Sequence, residues 1–423
     1  MKIIHTSDWH LGNTFHNRDR TLEFTSFFAQ LKDIIRQEEP DALLVAGDVF
    51  DTATPSNAAA KMYYALLADL HRLFPLLQIV IVAGNHDSPS FLKAPTPLFE
   101  AINTTLVTSV ERDEAGICLD KLIHPIVKEG KPVAWVLAVP HIRRGDLTSL
   151  EEGARTDAAA VTAFYKALRE RVPHDGLPVI AMGHLTLLGA SFSQENVGGL
   201  DNIDTAAFAQ GITYTALGHI HKKQQIPGPG EMHYCGAPLA MSFSERDYEH
   251  VVKVVVCEGA PGADSEGVLG ADSERAPGTE PQAGARVVEV RDIPIRQPMQ
   301  LRTIPEQPAP LEDVLFALQA LPADTHAYVE LNVQPGCYAP DFRQRVAEAL
   351  AGKPDVFFCR TKPNETVRLA DSQAEDTVGT LDDFKSLKPL DVIRKVYARA
   401  NGGKELDEAY IALLEEVALT RET

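Results

Sequence analysis

Five short motifs carry side chains that bind divalent cations: Asp8-Trp9-His10, Gly47-Asp48-Val49-Phe50-Asp51, Gly84-Asn85-His86-Asp87, Gly183-His184 and Gly218-His219-Ile220-His221. Carboxylate and amide oxygens mixed with imidazole nitrogens suit manganese, iron or zinc, whereas an all-oxygen set suits magnesium. The candidate ligands are Asp8, His10, Asp48, Asn85, His184, His219 and His221. Two cations about 3.5–4 Å apart need a shared carboxylate to screen their repulsion. Asp48 is placed to be that bridge. Such a pair supplies hydroxide near neutral pH and stabilises charge on the attacking and leaving oxygens of an in-line displacement. The chemistry expected is hydrolysis of a phosphoester.

A single Asp-x-His in a loop, or Gly-Asp after a strand, says little alone. Asn-His at a strand end is more specific, and so are two histidines two residues apart. All five motifs occur in order, each directly after an apolar run. The other histidines lack this context. His5 falls inside the first apolar run and is expected in the core. His71, His124, His174, His233, His250 and His326 have no supporting motif, and Trp9 is expected to pack rather than stack on substrate. His16 and His141 are expected at the border of the cleft.

The positioning elements follow from periodicity. KIIHT, DALLVAG, QIVIVAG, PVAWVLAV, PVIAMG, ITYTALG and HVVKVVV are short runs rich in Val, Ile and Leu, as buried strands are. Amphipathic stretches over 21–37 and 57–73 lie between them. Strands alternating with helices predict an α/β layered domain over 1–257. In a mainly parallel sheet the strand C-terminal ends share one edge, so distant motifs converge there. Glycine before the ligand motifs allows sharp turns and close approach.

Residues 258–286 change character. Gly, Pro, Ala and acids dominate, GADSE occurs twice, and six acids face two arginines, as in an acidic flexible insertion. Residues 287–370 read as a small βαβαβ domain, with strands in MQLRTI, AYVELNV and DVFFCRT and helices over 310–321 and 340–351. After a linker from 371, residues 380–423 read as two helices split by Asn401-Gly402-Gly403. Two short helices with apolar stripes need something to pack on, either this chain or a partner.

The chain has 423 residues, 44% hydrophobic and 23% charged, as a soluble multidomain protein has. No apolar run approaches the roughly 20 residues of a membrane span, and MKIIHTSDWH lacks a signal-peptide pattern. A cytoplasmic location is expected. The five cysteines form no CxxC pair, which argues against a disulfide framework or zinc knuckle. A net charge of −19 argues against a stand-alone nucleic-acid binder. Metals and a basic partner can offset it.

The five motifs resemble the calcineurin-like metallophosphoesterase superfamily. Its fold is a sandwich of two β-sheets flanked by helices. Within it, HTSDWHLG at 5–12, AGDVFDTATP at 46–55, AGNHDS at 83–88, GHLTLLGAS at 183–191, ALGHIHKKQ at 216–224 and YCGAPLAMSFSE at 234–245 resemble the SbcD family of bacterial nuclease subunits. The resemblance implies a metal-dependent DNA nuclease, a 3′–5′ exonuclease on duplex ends and an endonuclease on hairpins or single strands, acting in DNA repair, recombination and replication. It implies two Mn2+ ions, one on Asp8, His10, Asp48 and His221, the other on Asp48, Asn85, His184 and His219. His86 corresponds to the non-ligand catalytic histidine, which stabilises the transition state or protonates the leaving 3′ oxygen. Asp87 is expected to orient the His86 ring. Archaeal and eukaryotic relatives carry histidine where this chain has Asp51, so no histidine role transfers there. The insertion is not a family pattern.

The resemblance makes 287–370 a DNA-contacting cap and 380–423 the segment that docks on the coiled coil of an SbcC-type ATPase, in a homodimer within a heterotetramer. The cap carries nine Lys/Arg against eleven Asp/Glu, so broad basic attraction is not expected of it. Arg143-Arg144, Lys222-Lys223 and Arg343/Arg345 are candidate local phosphate contacts. Two other readings compete. A small-molecule phosphodiesterase or phosphatase would use the same metal site and better suit the acidic charge. A scaffold that kept only the fold would not need the intact ligand set.

Overall fold

The computed structural model describes residues 1–96, 99, 101–114, 116–147, 157–191, 203–208, 211–260, 284–334 and 341–362. Most of the acidic insertion and all of the expected C-terminal helix pair lie outside them. Two six-stranded sheets build the larger body. The first runs β14 (Arg286–Pro294), β13 (Val251–Glu258), β1 (Lys2–Thr6), β2 (Ala42–Ala46), β3 (Gln78–Val82) and β4 (Thr104–Val107). Strands β1 to β4 are parallel, and β13 and β14 add antiparallel. The second runs β11 (Gln224–Ile226), β12 (Glu231–Tyr234), β10 (Tyr214–Gly218), β9 (Val179–His184), β8 (Lys131–Ala138) and β7 (Ile123–Lys128). Its four middle strands are parallel. β5 (Arg112–Asp113) and β6 (Gly116–Ile117) form a small ladder apart from both.

Alternating side chains sort the core. Ile3, Leu44, Val80 and Val82 pack toward the second sheet, with Val136, Ile180 and Ala216. Ile4, Leu43, Val45, Ile79 and Ile81 pack on helices α1 (Thr21–Glu38) and α2 (Asn57–Leu73) through Phe27, Leu31, Leu66 and Leu67. With both faces covered, β2 is buried at every position, so its sequence ALLVA shows no polar alternation. Ser56 caps α2 by accepting from the Ala59 amide at 3.2 Å, and α1 ends where Glu39 turns left-handed, φ 47°. After the short α3 (Pro89–Lys93), helix α4 (Asp157–Arg171) packs on the second sheet through Val161, Phe164 and Leu168. The layers are helix, sheet, sheet, helix.

A smaller βαβαβ unit comes next: β15 (Gln300–Ala309), α5 (Leu311–Gln319), β16 (Ala327–Val333), α6 (Phe342–Ala349) and β17 (Val356–Thr361). Its three parallel strands and two helices enclose Val314, Leu318, Val329, Leu331 and Val346. One expected boundary moves. Residues 286–294 belong to the first sheet as β14, paired with β13, so the large body extends past 257 and the cap begins after 294. The cap sits on the large body through Phe15, Phe243 and Tyr328. Among the described residues no helix is long and apolar enough to cross a membrane.

Candidate metal centre

The turns that carry the candidate ligands meet where the two sheets face each other. Asp8 and His10 follow β1, Asp48 follows β2, Asn85 follows β3, His184 ends β9, and His219 and His221 follow β10. The turn after β1 is laced to the turn after β2. The Asp8 amide donates to the Gly47 carbonyl, and the His10 amide to the Asp48 carbonyl, both at 3.0 Å. Four of the candidate ligands sit in left-handed backbone: Asp8 at φ 54°, His10 at 48°, Asp48 at 50° and His219 at 94°. Such conformations are costly for non-glycine residues and cluster at functional sites. Here they swing short side chains off the strand ends into one cleft. Gly218 is needed for a different reason: a Cβ there would collide with the Ala46 carbonyl of the facing sheet.

Three side-chain groups result. Asp8, His10 and His221 offer donor atoms within 4.8 Å of one another, as do Asp48, His184 and His219, and also His10, Asp51 and His86. Asp48 Oδ2 lies 3.2 Å from His184 Nε2 and 3.6 Å from His10 Nε2, between the first two groups. Asn85 Oδ1 lies 2.9 Å from His184 Nε2 and 3.0 Å from His219 Nδ1. All seven expected ligands are therefore together, with Asp48 between the two groups. His86 borders them, exposed, its ring 4.9 Å from that of His10. The surrounding cleft has a volume of about 200 Å³.

The donor set fits cations. Asp8 and Asp48 are buried, and among the described residues neither pairs with Lys or Arg. The Nε2 atoms of His10 and His221 face each other at 3.1 Å, and His10 Nδ1 is buried without a hydrogen-bond partner. His184 Nδ1 meets the Ala46 carbonyl at 2.9 Å, which makes Nδ1 the protonated nitrogen and leaves the Nε2 lone pair for a metal. Without cations, protons take up the charge. Burial opposes charge on His184 and His221, but Asp48 beside the first and Glu245 beside the second raise both to about 9. Burial also opposes charge on Asp48, and the His184 and His10 imidazoles hold its carboxyl far below the usual range. His219 is pushed down to about 3, by burial first and the neighbouring His184 second.

The ring-orienting role expected of Asp87 is not what its geometry does. His86 Nδ1 meets the Asp51 carbonyl at 2.7 Å. Asp87 is buried and accepts from the backbone amides of Val49, Phe50 and Gly84 at 3.1, 2.9 and 2.8 Å. It clamps the turn after β2 to the turn after β3. Burial, with the Asp48 charge, pushes its carboxyl up to about 6 against those three bonds.

Two supporting groups were not expected. Glu245 accepts from His221 Nδ1 at 2.9 Å and from the Met241 amide at 2.8 Å. Asp51 Oδ1 lies 3.4 Å from His10 Nδ1. A carboxylate bonded as Glu245 is fixes the orientation of a ligating histidine and raises its basicity, whereas Asp51 makes no hydrogen bond to His10 and acts on it through charge. Of the border residues, His141 Nδ1 meets the His184 carbonyl at 3.1 Å, and His16 packs against Phe15 and Phe243. His5 is a core residue. Two of the candidate phosphate contacts are paired within the chain: Lys223 with Asp292 and Glu249, and Arg345 with Glu312.

A family model described as calcineurin-like phosphoesterase matches residues 1–223. Another, described as type 5 capsule protein repressor C-terminal domain, matches residues 297–401. A curated protein of Rhodobacter capsulatus, named as the D subunit of the nuclease SbcCD, is 35% identical over 76% of this chain and 76% of its own length. The protein of that name from Escherichia coli is 28% identical over 99% of this chain and 97% of its own length. That from Bacillus subtilis is 29% identical over 63% of this chain and 68% of its own length.

Proposed function

Because the chain belongs to the calcineurin-like phosphoesterases and, within them, to the SbcD nucleases, we propose that it hydrolyses DNA phosphodiesters as a metal-dependent nuclease subunit working with an SbcC-type ATPase. The observation that carries the reading is the pair of ligand groups joined at Asp48, with exposed His86 beside them. Asp8, His10, Asp48 and His221 would hold one divalent cation, and Asp48, Asn85, His184 and His219 the other. Manganese is the proposed ion, given four histidines among the ligands. Bound there, two cations supply Lewis acidity and a nucleophile at neutral pH.

The remaining work falls to the chain itself. Asp48 holds the two positions in register. With His86 Nδ1 engaged by the Asp51 carbonyl, Nε2 is the atom left to meet substrate. Protonated, it donates to the leaving 3′ oxygen. Substrate polarity would be 3′–5′ on duplex ends, with endonucleolytic cuts at hairpins or single strands. The cap contributes DNA contacts, and 380–423 docks on the ATPase in a heterotetramer built on two copies of this chain. An acidic chain holding a polyanion gains from a basic partner. Such a substrate means work in the cytoplasm, at the nucleoid.

The test is hydrolysis of linear duplex and hairpin DNA by purified protein with manganese, with and without the ATPase. Manganese-dependent degradation that chelation stops is the expected result. Turnover of small phosphodiesters with no attack on DNA, even with the ATPase present, would refute it.

A further inference from the structure

The two ligand groups differ in what holds them. His184 and His219 end strands of the second sheet or follow them, and His184 leans on the Ala46 carbonyl of the first. Their support is the sandwich itself. His221 is instead hydrogen-bonded, and His10 faced at ion-pair distance, by carboxylates whose contacts reach back to the cap.

One line of contacts runs from cap strand β16 to His10. The Tyr328 hydroxyl donates to Glu23 Oε2 at 2.9 Å. Glu23 Oε1 accepts from Arg20 Nε at 2.9 Å and Nη2 at 2.8 Å. Arg20 Nη1 donates to Asn13 Oδ1, and Asn13 Nδ2 to Asp51 Oδ1, both at 3.1 Å. Asp51 Oδ1 then lies 3.4 Å from His10 Nδ1. A second line runs to His221. Tyr328 stacks on Phe15 at 4.6 Å, and Phe15 meets Phe243 at 5.3 Å. Phe243 opens the tight turn that ends at Glu245, which binds His221. Arg246 pairs with Glu306 of β15 at 3.0 Å, and Arg360 of β17 lies over Phe243 at 5.3 Å.

Arg20 and Glu23 are 3% and 4% exposed, an ion pair almost wholly out of water. A buried pair is often no more stabilising than well-packed apolar residues of the same volume. A stabilising role alone does not account for it. We propose that Tyr328, Glu23 and Arg20 are positioning residues that couple the seat of the cap to one metal position, that of His10 and His221. The Asn85–His184–His219 position is indifferent to the cap. The coupling is reciprocal: a cation at the first position favours the seated cap, and a ligand that displaces the cap weakens that cation. The inference rests on the ligand assignment above.

The test is calorimetric titration of manganese(II) into the metal-free full chain, into Tyr328→Phe and into Glu23→Gln. Tyr328→Phe keeps the ring on Phe15 and removes only the hydroxyl, so it is the decisive variant if Glu23→Gln fails to fold. The unsubstituted chain should bind two ions in separable steps. Tyr328→Phe should weaken one step by about 3–10-fold, less than loss of a group bonded directly to a ligand costs. The weakened step should be the one that His221→Ala removes, and the other should be unchanged. A general loss of stability would weaken both steps, so equal weakening, or none, overturns the coupling while leaving the metal centre standing. Binding of fewer than two ions by the unsubstituted chain overturns the ligand assignment and the coupling together.

Discussion

His10 and His221 meet nitrogen to nitrogen, their Nε2 atoms 3.1 Å apart and their rings 5.0 Å apart at 68°. Two lone pairs aimed at one point repel unless a proton or a cation lies between them. A proton fills that gap in the metal-free chain, and a cation bound only by the folded chain adds stability, so removing metal should cost stability as well as activity. Manganese at 100 times its dissociation constant should add about 2.7 kcal/mol for each site relative to the chelated protein. Differential scanning calorimetry with EDTA and with manganese checks this. An unfolding transition indifferent to both would sink the metal centre.

His86 lies outside the seven-ligand set and is exposed. His86→Ala should keep both ions and lose turnover by about 10²–10⁴-fold, the range of a missing general acid. Single-turnover DNA hydrolysis and metal analysis on the same sample decide it. Loss of an ion would reassign the residue.

Asp87 predicts the opposite pattern. Its carboxylate satisfies three buried amides from two turns that carry Asp48 and Asn85. Asp87→Ala should destabilise the fold by at least about 3 kcal/mol, because unsatisfied buried donors cost about 1–3 kcal/mol each. It should also weaken metal binding, as those turns come apart. Urea unfolding with unchanged midpoint would contradict the clamp.

His5 sets an acid limit. It is fully buried in β1, with Nδ1 3.0 Å from the Tyr214 hydroxyl and Nε2 3.2 Å from the Leu217 carbonyl. Burial first, and the Lys253 charge second, push its pKa from 6.5 to about 3. The unfolded chain therefore holds a proton that the folded chain gives up. The contribution of neutral His5 is full above about pH 6.5 and is lost as pH falls toward 3. His5→Gln should be less stable at pH 8 and lose less stability between pH 6.5 and 4.5. Thermal melts in EDTA across that range test the difference, and parallel curves would count against it.

The turns that carry the candidate ligands are legible in the sequence because the buried parallel strands before them are apolar runs, and a polar turn directly after such a run stands out. The βαβαβ unit is legible for another reason: its strands QLRTI, AYVELNV and VFFCRT carry charged or polar residues but alternate with two amphipathic helical stretches. Glu245 is not, because it stands 24 residues beyond the histidine it supports, with no pattern around it. Asp51 meets the site through its carbonyl, which faces His86, and its carboxylate, 3.4 Å from His10, contacts that no spacing announces. β4 and β7 are short or largely solvent-facing and lack an apolar run. β14, RVVEVRDIP, comes after the acidic insertion and so reads with the cap by chain order, yet its hydrogen bonds go back to β13. Asp87 sits in a motif with candidate catalytic and metal-binding residues, and only its three amide partners reveal a structural role.

The pairing of β13 with β14 also fixes where this enzyme tolerates change. Glu258 and Arg286 are register partners in adjacent strands, so the chain on the two sides of the acidic insertion is already paired. Closing a loop costs only about 0.6 kcal/mol more for each doubling of its length. The stretch is therefore a natural port for engineering. A fluorophore, affinity handle or guest domain can be grafted there while the sheet on both sides keeps its register.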